Sequence, residues 1–226
     1  MGYEVALFDL DLTLFDSELS ERVALSASLN RYEIETSDHL LETYRCINSQ
    51  LWSDFEKKAI TLPKLRVERF QQLCDELNFQ INAEELAEEY ETNLGESGGL
   101  YYDAEKLLSN VKRKSKVGLI TNGLESVQKA RLSNFNLNKY FDAILISGEC
   151  GMSKPDPSIF QASLDLLGHS QKDSVLMIGD SLTSDIAGAK NFGIDSCWYN
   201  PQGLDTPLAH SPTFIVNSLL EIDLLI

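Results

Sequence analysis

Short apolar runs recur along the chain, each ending in polar or turn residues: 5–10, 116–121, 143–147, 174–179 and 195–199, with a weaker one at 213–216. Val175-Leu176-Met177-Ile178 is apolar without alternation, the pattern of a strand covered on both faces. Segments of helical length at 125–134, 158–167 and 184–192 lie between the later runs. Strand-then-helix alternation of this kind predicts a doubly wound, mostly parallel, Rossmann-like α/β sheet.

Residues 16–97 follow a different rule. Apolar positions recur there at helical spacing over 19–31, 40–59, 63–77 and 83–94, with no convincing strand. Pro63 suits a first helical turn, and Asn82 with Glu85 three positions on has the form of a capping box. Glu84, Glu85, Glu88, Glu89 and Glu91 read as the solvated face of the last of these helices. Gly95 and Gly98-Gly99 break the periodicity and supply a return linker. The expected organisation is an α/β core over 1–15 and 98–226, interrupted after its first strand by an all-helical insertion at 16–97.

Composition restricts the partners more than the fold. The 226 residues carry 19 Lys+Arg against 35 Asp+Glu, a formal net charge of −16. A broad nucleic-acid or anionic-membrane surface needs clustered cations, so neither is expected as a partner. A small phosphate ester remains open, because a metal ion, one lysine or a helix N-terminus holds a phosphate. Cys46, Cys74, Cys150 and Cys197 lie far apart and read as free thiols. The start, Met-Gly-Tyr-Glu, has no basic stretch, and no apolar run approaches the ~20 residues of a membrane span, so a soluble, cytoplasmic protein is expected.

Candidate chemistry gathers where the apolar runs end. The first closes in Phe8-Asp9-Leu10-Asp11-Leu12-Thr13 and delivers two carboxylates to the strand edge where α/β sheets bind ligands. Asp9 and Asp11 are two residues apart and cannot present their side chains alike, so one suits nucleophilic attack or metal binding and the other proton transfer. The run at 116–121 closes in Ile120-Thr121-Asn122-Gly123 before a helix, where a hydroxyl and backbone N–H groups form a receptor for phosphate oxygens. In Ser153-Lys154-Pro155-Asp156-Pro157, Asp156 and Pro157 are explained as a helix start. Lys154 is not, and it suits neutralising an aspartate and a phosphoryl oxygen. Met177-Ile178-Gly179-Asp180-Ser181 places Asp180 at another strand end, with Asp185 opening the following helix. Hard Mg²⁺ takes one or two carboxylates, waters and substrate phosphate, a partial shell that Asp9 and Asp180 supply.

Asp9-Leu10-Asp11-Leu12-Thr13, Thr121-Asn122-Gly123, Lys154-Pro155 and Gly179-Asp180-Ser181 with Asp185, in this order and spacing, resemble the motifs of haloacid-dehalogenase-superfamily phosphohydrolases with a helical cap. The resemblance spans essentially the whole chain. It implies that Asp9 is the nucleophile that forms an aspartyl-phosphate and that Asp11 is the general acid/base, its backbone carbonyl also reaching Mg²⁺. It further implies that Thr121 and Asn122 contact the phosphoryl group and that Lys154 balances charge beside Asp9. Asp180 then matches a metal ligand, and Asp185 a direct or water-mediated one. Phosphoryl transfer needs such a set: an in-line nucleophile, cations on the equatorial oxygens and an acid at the leaving oxygen.

Leu51-Trp52-Ser53-Asp54-Phe55, Ile120-Thr121-Asn122-Gly123 and Cys197-Trp198-Tyr199-Asn200 look closer still to the bacterial pyrimidine 5′-nucleotidases, which implies nucleoside 5′-monophosphates as substrates. Trp52 and Phe55, three apart, fit a packing face on spacing alone; the resemblance implies contact with a base. Two departures stand out: Tyr102-Asp103 where many relatives carry Pro-Gly, and Lys58 where a glycine is common. Rival readings share much of this machinery. A sugar-phosphate or phosphoglycolate phosphatase, or a phosphomutase, uses the same core residues. Dehalogenation has no leaving alcohol to protonate and no use for Asp11. A phospho-receiver module has no need of the helical insertion.

Overall fold

The computed structural model describes residues 2–205 and 211–226. Its first strand, β1 (Val5–Phe8), leads into four helices: α1 (Ser17–Asn30), α2 (Asp38–Glu56), α3 (Leu62–Leu77) and α4 (Ala83–Glu96). The remaining elements are α5 (Ala104–Val111), β2 (Lys116–Thr121), α6 (Glu125–Asn134), β3 (Ala143–Ile146), α7 (Ser147–Cys150), α8 (Pro157–Leu167), β4 (Val175–Gly179), α9 (Ala187–Phe192), β5 (Asp195–Tyr199), β6 (Phe214–Val216) and α10 (Leu219–Ile222). The strands pair in parallel throughout, in the order β3-β2-β1-β4-β5-β6. Beside β1 the order reverses, β2 lying on one side and β4 on the other. A parallel α/β sheet opens its ligand crevice at such a point, beyond the carboxyl ends of the strands.

The two faces of the sheet are buried by different side chains of the same strands. Val5 and Leu7 join Ile120, Ile159, Phe160 and Met177 on one face, while Ala6 and Phe8 join Leu107, Leu119, Leu132 and Ile178 on the other. Each large apolar side chain so placed contributes about 1.5–3 kcal/mol by leaving water. The near-continuous apolar runs of the sequence have this double burial as their cause.

By contacts the chain separates into two compact units. One holds Met1–Asp16, Gly99–Glu125 and Leu132–Ile226; the other holds Ser17–Gly98 and Ser126–Arg131. The α/β unit contains the sheet. At its edge the chain leaving β1 and the chain returning from α4 run side by side, with Asp16 N–H donating to Gly99 O and Tyr101 N–H to Leu14 O, each at 2.9 Å. Gly98 takes a φ of 97°, a left-handed conformation that favours glycine.

The helical unit is built on a ring cluster of Tyr44, Phe70 and Tyr90, with the buried Arg69 guanidinium 5.1 Å from the Phe70 centroid and 4.7 Å from that of Tyr90. Ser37 caps α2 by accepting from Leu40 N–H, and Asn82 caps α4 by accepting from the N–H groups of Glu84 and Glu85. Six residues of α6, read as α/β from sequence, group with these helices for a packing reason. Ser126 Oγ donates to Glu91, Arg131 Nη2 donates to Ser20 Oγ, and Gly95 leaves room for Ala130. Lys58 follows α2 with a φ of 58°, which accounts for the glycine common there in the family it resembles. All four cysteines are free, and no helix among the described residues is long and apolar enough to cross a membrane.

Candidate active site

Three strand ends and the loop after α7 deliver side chains to one edge of the α/β unit. Asp9 follows β1, Thr121 ends β2, Lys154 follows α7, and Asp180 follows β4. Asp185 lies in a π-helical turn, Leu182–Ile186, just beyond Asp180. Such turns are wider than an α-helix and are frequent at functional sites. Asp9, Asp180 and Asp185 each offer an oxygen within 4.8 Å of the others.

Lys154 sits inside this acidic group, 1% exposed. Its ammonium pairs with Asp9 Oδ1 and lies 2.7 Å from Asp185 Oδ1. Burial alone would lower its pKa, but the charges of Asp185 and Asp9 outweigh that and hold the ammonium above the usual lysine range. The carboxylates move the opposite way. Asp9 is raised well above the ordinary aspartate value, first by burial and then by Asp185, Asp180 and Asp11, with Lys154 opposing. Asp180 is pushed up to about 7 by burial and Asp185, while Lys154 and a hydrogen bond from Thr13 oppose. When all three carboxylates are ionised, the one ammonium leaves two surplus negative charges in this largely buried space. An all-oxygen donor set with that surplus fits a hard divalent cation.

The supporting contacts are as specific as the charges. Thr13 Oγ1 lies 3.2 Å from Asp180 Oδ1 and 3.5 Å from Asp9 Oδ2, and accepts from Asp180 N–H at 3.0 Å. Trp198 Nε1–H, on β5, donates to the Asp180 carbonyl at 2.8 Å. Ser181 N–H donates to Asp185 Oδ2 at 3.0 Å. At Gly179 a Cβ would stand 2.1 Å from Asp185 Oδ2, so only glycine lets that carboxylate lie against the strand end.

The remaining expected residues differ in their surroundings. Asp11 is half-buried, and its carboxylate is outside the three-aspartate group. Thr121 Oγ1 is fully buried without a hydrogen-bond partner, an orphaned donor at the strand end. Asn122 stands beside Lys154, its carboxamide bonded to the Lys154 carbonyl and N–H. Thr13 and Trp198 stand within quoted motifs without an assigned role; their partners lie 167 and 18 residues away in sequence, so no local spacing marks them. In the helical unit, Trp52 and Phe55 form an edge-to-face pair with centroids 5.7 Å apart, both half-buried.

The model of the family described as haloacid dehalogenase-like hydrolase matches residues 6–199. The chain is similar to the pyrimidine 5′-nucleotidase YjjG of Escherichia coli, 32% identical over 100% of this chain and 99% of that one. It is 34% identical to the pyrimidine 5′-nucleotidase PynA of Streptococcus pneumoniae, over 98% of this chain and 94% of the relative. Among solved structures, the HAD-hydrolase YfnB of Bacillus subtilis bound to magnesium superposes with a TM-score of 0.92 at 30% identity, covering 98% of this chain and 97% of that one.

Proposed function

The chain belongs to the haloacid dehalogenase-like hydrolases, and from that membership we propose a Mg²⁺-dependent phosphatase of nucleoside 5′-monophosphates, pyrimidine preferred, working through an aspartyl-phosphate. It is a phosphoric monoester hydrolase. The observation that carries the Mg²⁺ and aspartyl-phosphate chemistry is the group of Asp9, Asp180 and Asp185 closed around the buried Lys154. We take 1–15 with 98–226 as the catalytic core and 16–97 as its cap.

Asp9 attacks phosphorus through a carboxylate oxygen, and the ester P–O bond breaks. Asp11 donates its proton to the leaving alkoxide, then takes a proton from the water that attacks phosphorus and releases phosphate from Asp9. Thr121 Oγ1, otherwise without a partner, donates to a phosphoryl oxygen. Lys154 lies against Asp9 and balances the charge that the phosphoryl oxygens bring. Asp9, Asp180 and Asp185, with the Asp11 carbonyl, would hold the cation. When bound, Mg²⁺ supplies positive charge to the phosphoryl oxygens and keeps Asp9 ionised.

These core residues hold only the phosphoryl group, so the nucleotide preference rests on the likeness to YjjG and PynA. Phosphate release measured with EDTA and after Mg²⁺ is restored tests the cation; full activity in excess chelator overturns it. A panel of uridine and thymidine 5′-monophosphates, purine monophosphates, glucose 6-phosphate and phosphoglycolate tests the substrate. We expect the highest kcat/KM on the pyrimidine nucleotides. Sugar phosphates or phosphoglycolate ahead of every nucleotide by about tenfold, roughly 1.4 kcal/mol, would reassign the substrate.

A further inference from the structure

Asn122 stands one residue beyond β2 and its side chain is already engaged. Nδ2 donates to the Lys154 carbonyl at 2.9 Å, and Lys154 N–H donates to Oδ1 at 2.9 Å. The pair holds the Lys154 backbone at its N–H and its carbonyl, across 32 residues of sequence. The loop that carries Asn122 is itself tied to the first residues of α7. Gly123 N–H donates to Ser147 Oγ at 3.0 Å, and Gly148 N–H donates to Gly123 O at 3.0 Å. The start of α7 is thus linked, through Gly123 and the adjoining Asn122, to the backbone of the lysine whose ammonium meets Asp9 and Asp185.

A lysine stem is flexible, and its ammonium is a point charge without a fixed geometry of its own. Where that charge sits depends on the burial of the stem and on where its backbone is held. The stem is buried, and Asn122 holds the backbone at the N–H and the carbonyl of Lys154. We propose that Asn122 is a positioning residue, acting on phosphoryl transfer through Lys154 and not by carboxamide contact with the phosphoryl group. The inference rests on the role given to Lys154 above.

A double-mutant cycle on the whole chain tests it, with kcat and KM measured on p-nitrophenyl phosphate in saturating Mg²⁺. Removing a side chain that orients an active-site group costs about 10–100-fold in activity, so Asn122→Ala should lose that much kcat. Its KM should stay within about twofold, because no ground-state contact with substrate is lost. In a Lys154→Ala background the same substitution should change kcat by less than about twofold, since the group it positions has gone. Losses that multiply across the cycle would overturn the proposal in favour of a direct contact. So would wild-type kcat in both Asn122→Ala and Asn122→Ser. If Lys154→Ala does not give a normal thermal melt, Lys154→Gln, which keeps the stem, serves as the background. Wild-type kcat in the Lys154 variants would overturn the role of Lys154 itself, an outcome distinguished by the single Lys154 variants alone.

Discussion

At the scale of single residues, environment separates side chains of the same chemistry. Asp9 is buried against an ammonium, while Asp11, two residues on, is half-buried and outside the three-aspartate group. Asp9→Asn should therefore be inactive, having lost both the nucleophile and a charge on the cation. Asp11→Asn should lose most turnover with its fold intact, and should recover part of the phosphorylation step on a leaving group that needs little protonation. Stopped-flow release of p-nitrophenol, with contamination excluded, reads both; more than a few per cent of wild-type rate in Asp9→Asn would move the nucleophile elsewhere. Two lysines give the parallel comparison. Lys154→Ala should cost about 10²–10³ in kcat, as does loss of one preorganised stabiliser. Lys112 pairs with Asp142 at 2.9 Å on the surface, where such pairs contribute ~0–1 kcal/mol, so Lys112→Ala should be near neutral. Equal effects at the two positions would refute the placement of Lys154. Asp9 and Asp180 were legible because strand ends announce themselves in the apolar pattern, whereas Lys154 and Asp185, in the loop after α7 and in the π-helical turn, were marked by the motifs they belong to. The bonds from the Asn122 carboxamide to Lys154 left no such signal, because their partner is a backbone that no side-chain pattern reveals.

At the scale of elements, legibility followed burial. β2, β5 and α6 have the bounds that periodicity predicts, and the four helices of 16–97 differ from prediction only near their ends. Long apolar stripes and doubly buried strands leave a local signal. Shorter elements do not: the eight-residue α5 and the brief α7 and α10 went unread. The π-helical turn at Leu182–Ile186 replaced the expected regular start of the helix at 184–192, because its shape is set by Asp185 turning back onto Ser181 N–H and Gly179. The contact that ties β5 to this turn carries a prediction. Trp198→Phe keeps the buried ring but deletes the N–H that holds the Asp180 carbonyl. Loss of such an outer partner typically weakens a metal site about 10–100-fold, so the Mg²⁺ concentration for half-activity should rise by that factor with substrate KM little changed. An unchanged Mg²⁺ requirement would show that Asp180 is held by Thr13 alone.

At the scale of the whole molecule, the formal net charge of −16 and the buried aspartates act in the same direction. Without a cation, folding places Asp9 and Asp180 where their charged forms are disfavoured, Asp180 titrating at about 7 against an ordinary value of 3.8. A carboxylate raised on folding binds its proton more tightly in the native state. Its stabilising effect is complete below the unfolded value and is lost as pH rises through the folded one. The cation-free protein should therefore lose stability between about pH 4 and 7, beyond what surface repulsion among its acidic groups removes. A bound divalent cation reverses the local term, because it binds the ionised carboxylates and competes with their protons. The gap in Tm between Mg²⁺ and EDTA should thus be small at pH 5 and widen towards pH 8, at roughly 2–4 °C per kcal/mol for a chain of this size. Asp180→Asn removes one titrating ligand and should flatten that dependence, while a general ionic-strength effect would survive the substitution. Thermal melts at matched ionic strength separate the two. A gap that is constant with pH, or that persists unchanged in Asp180→Asn, would remove Asp180 from the cation site and leave surface charge as the only link between Mg²⁺ and stability.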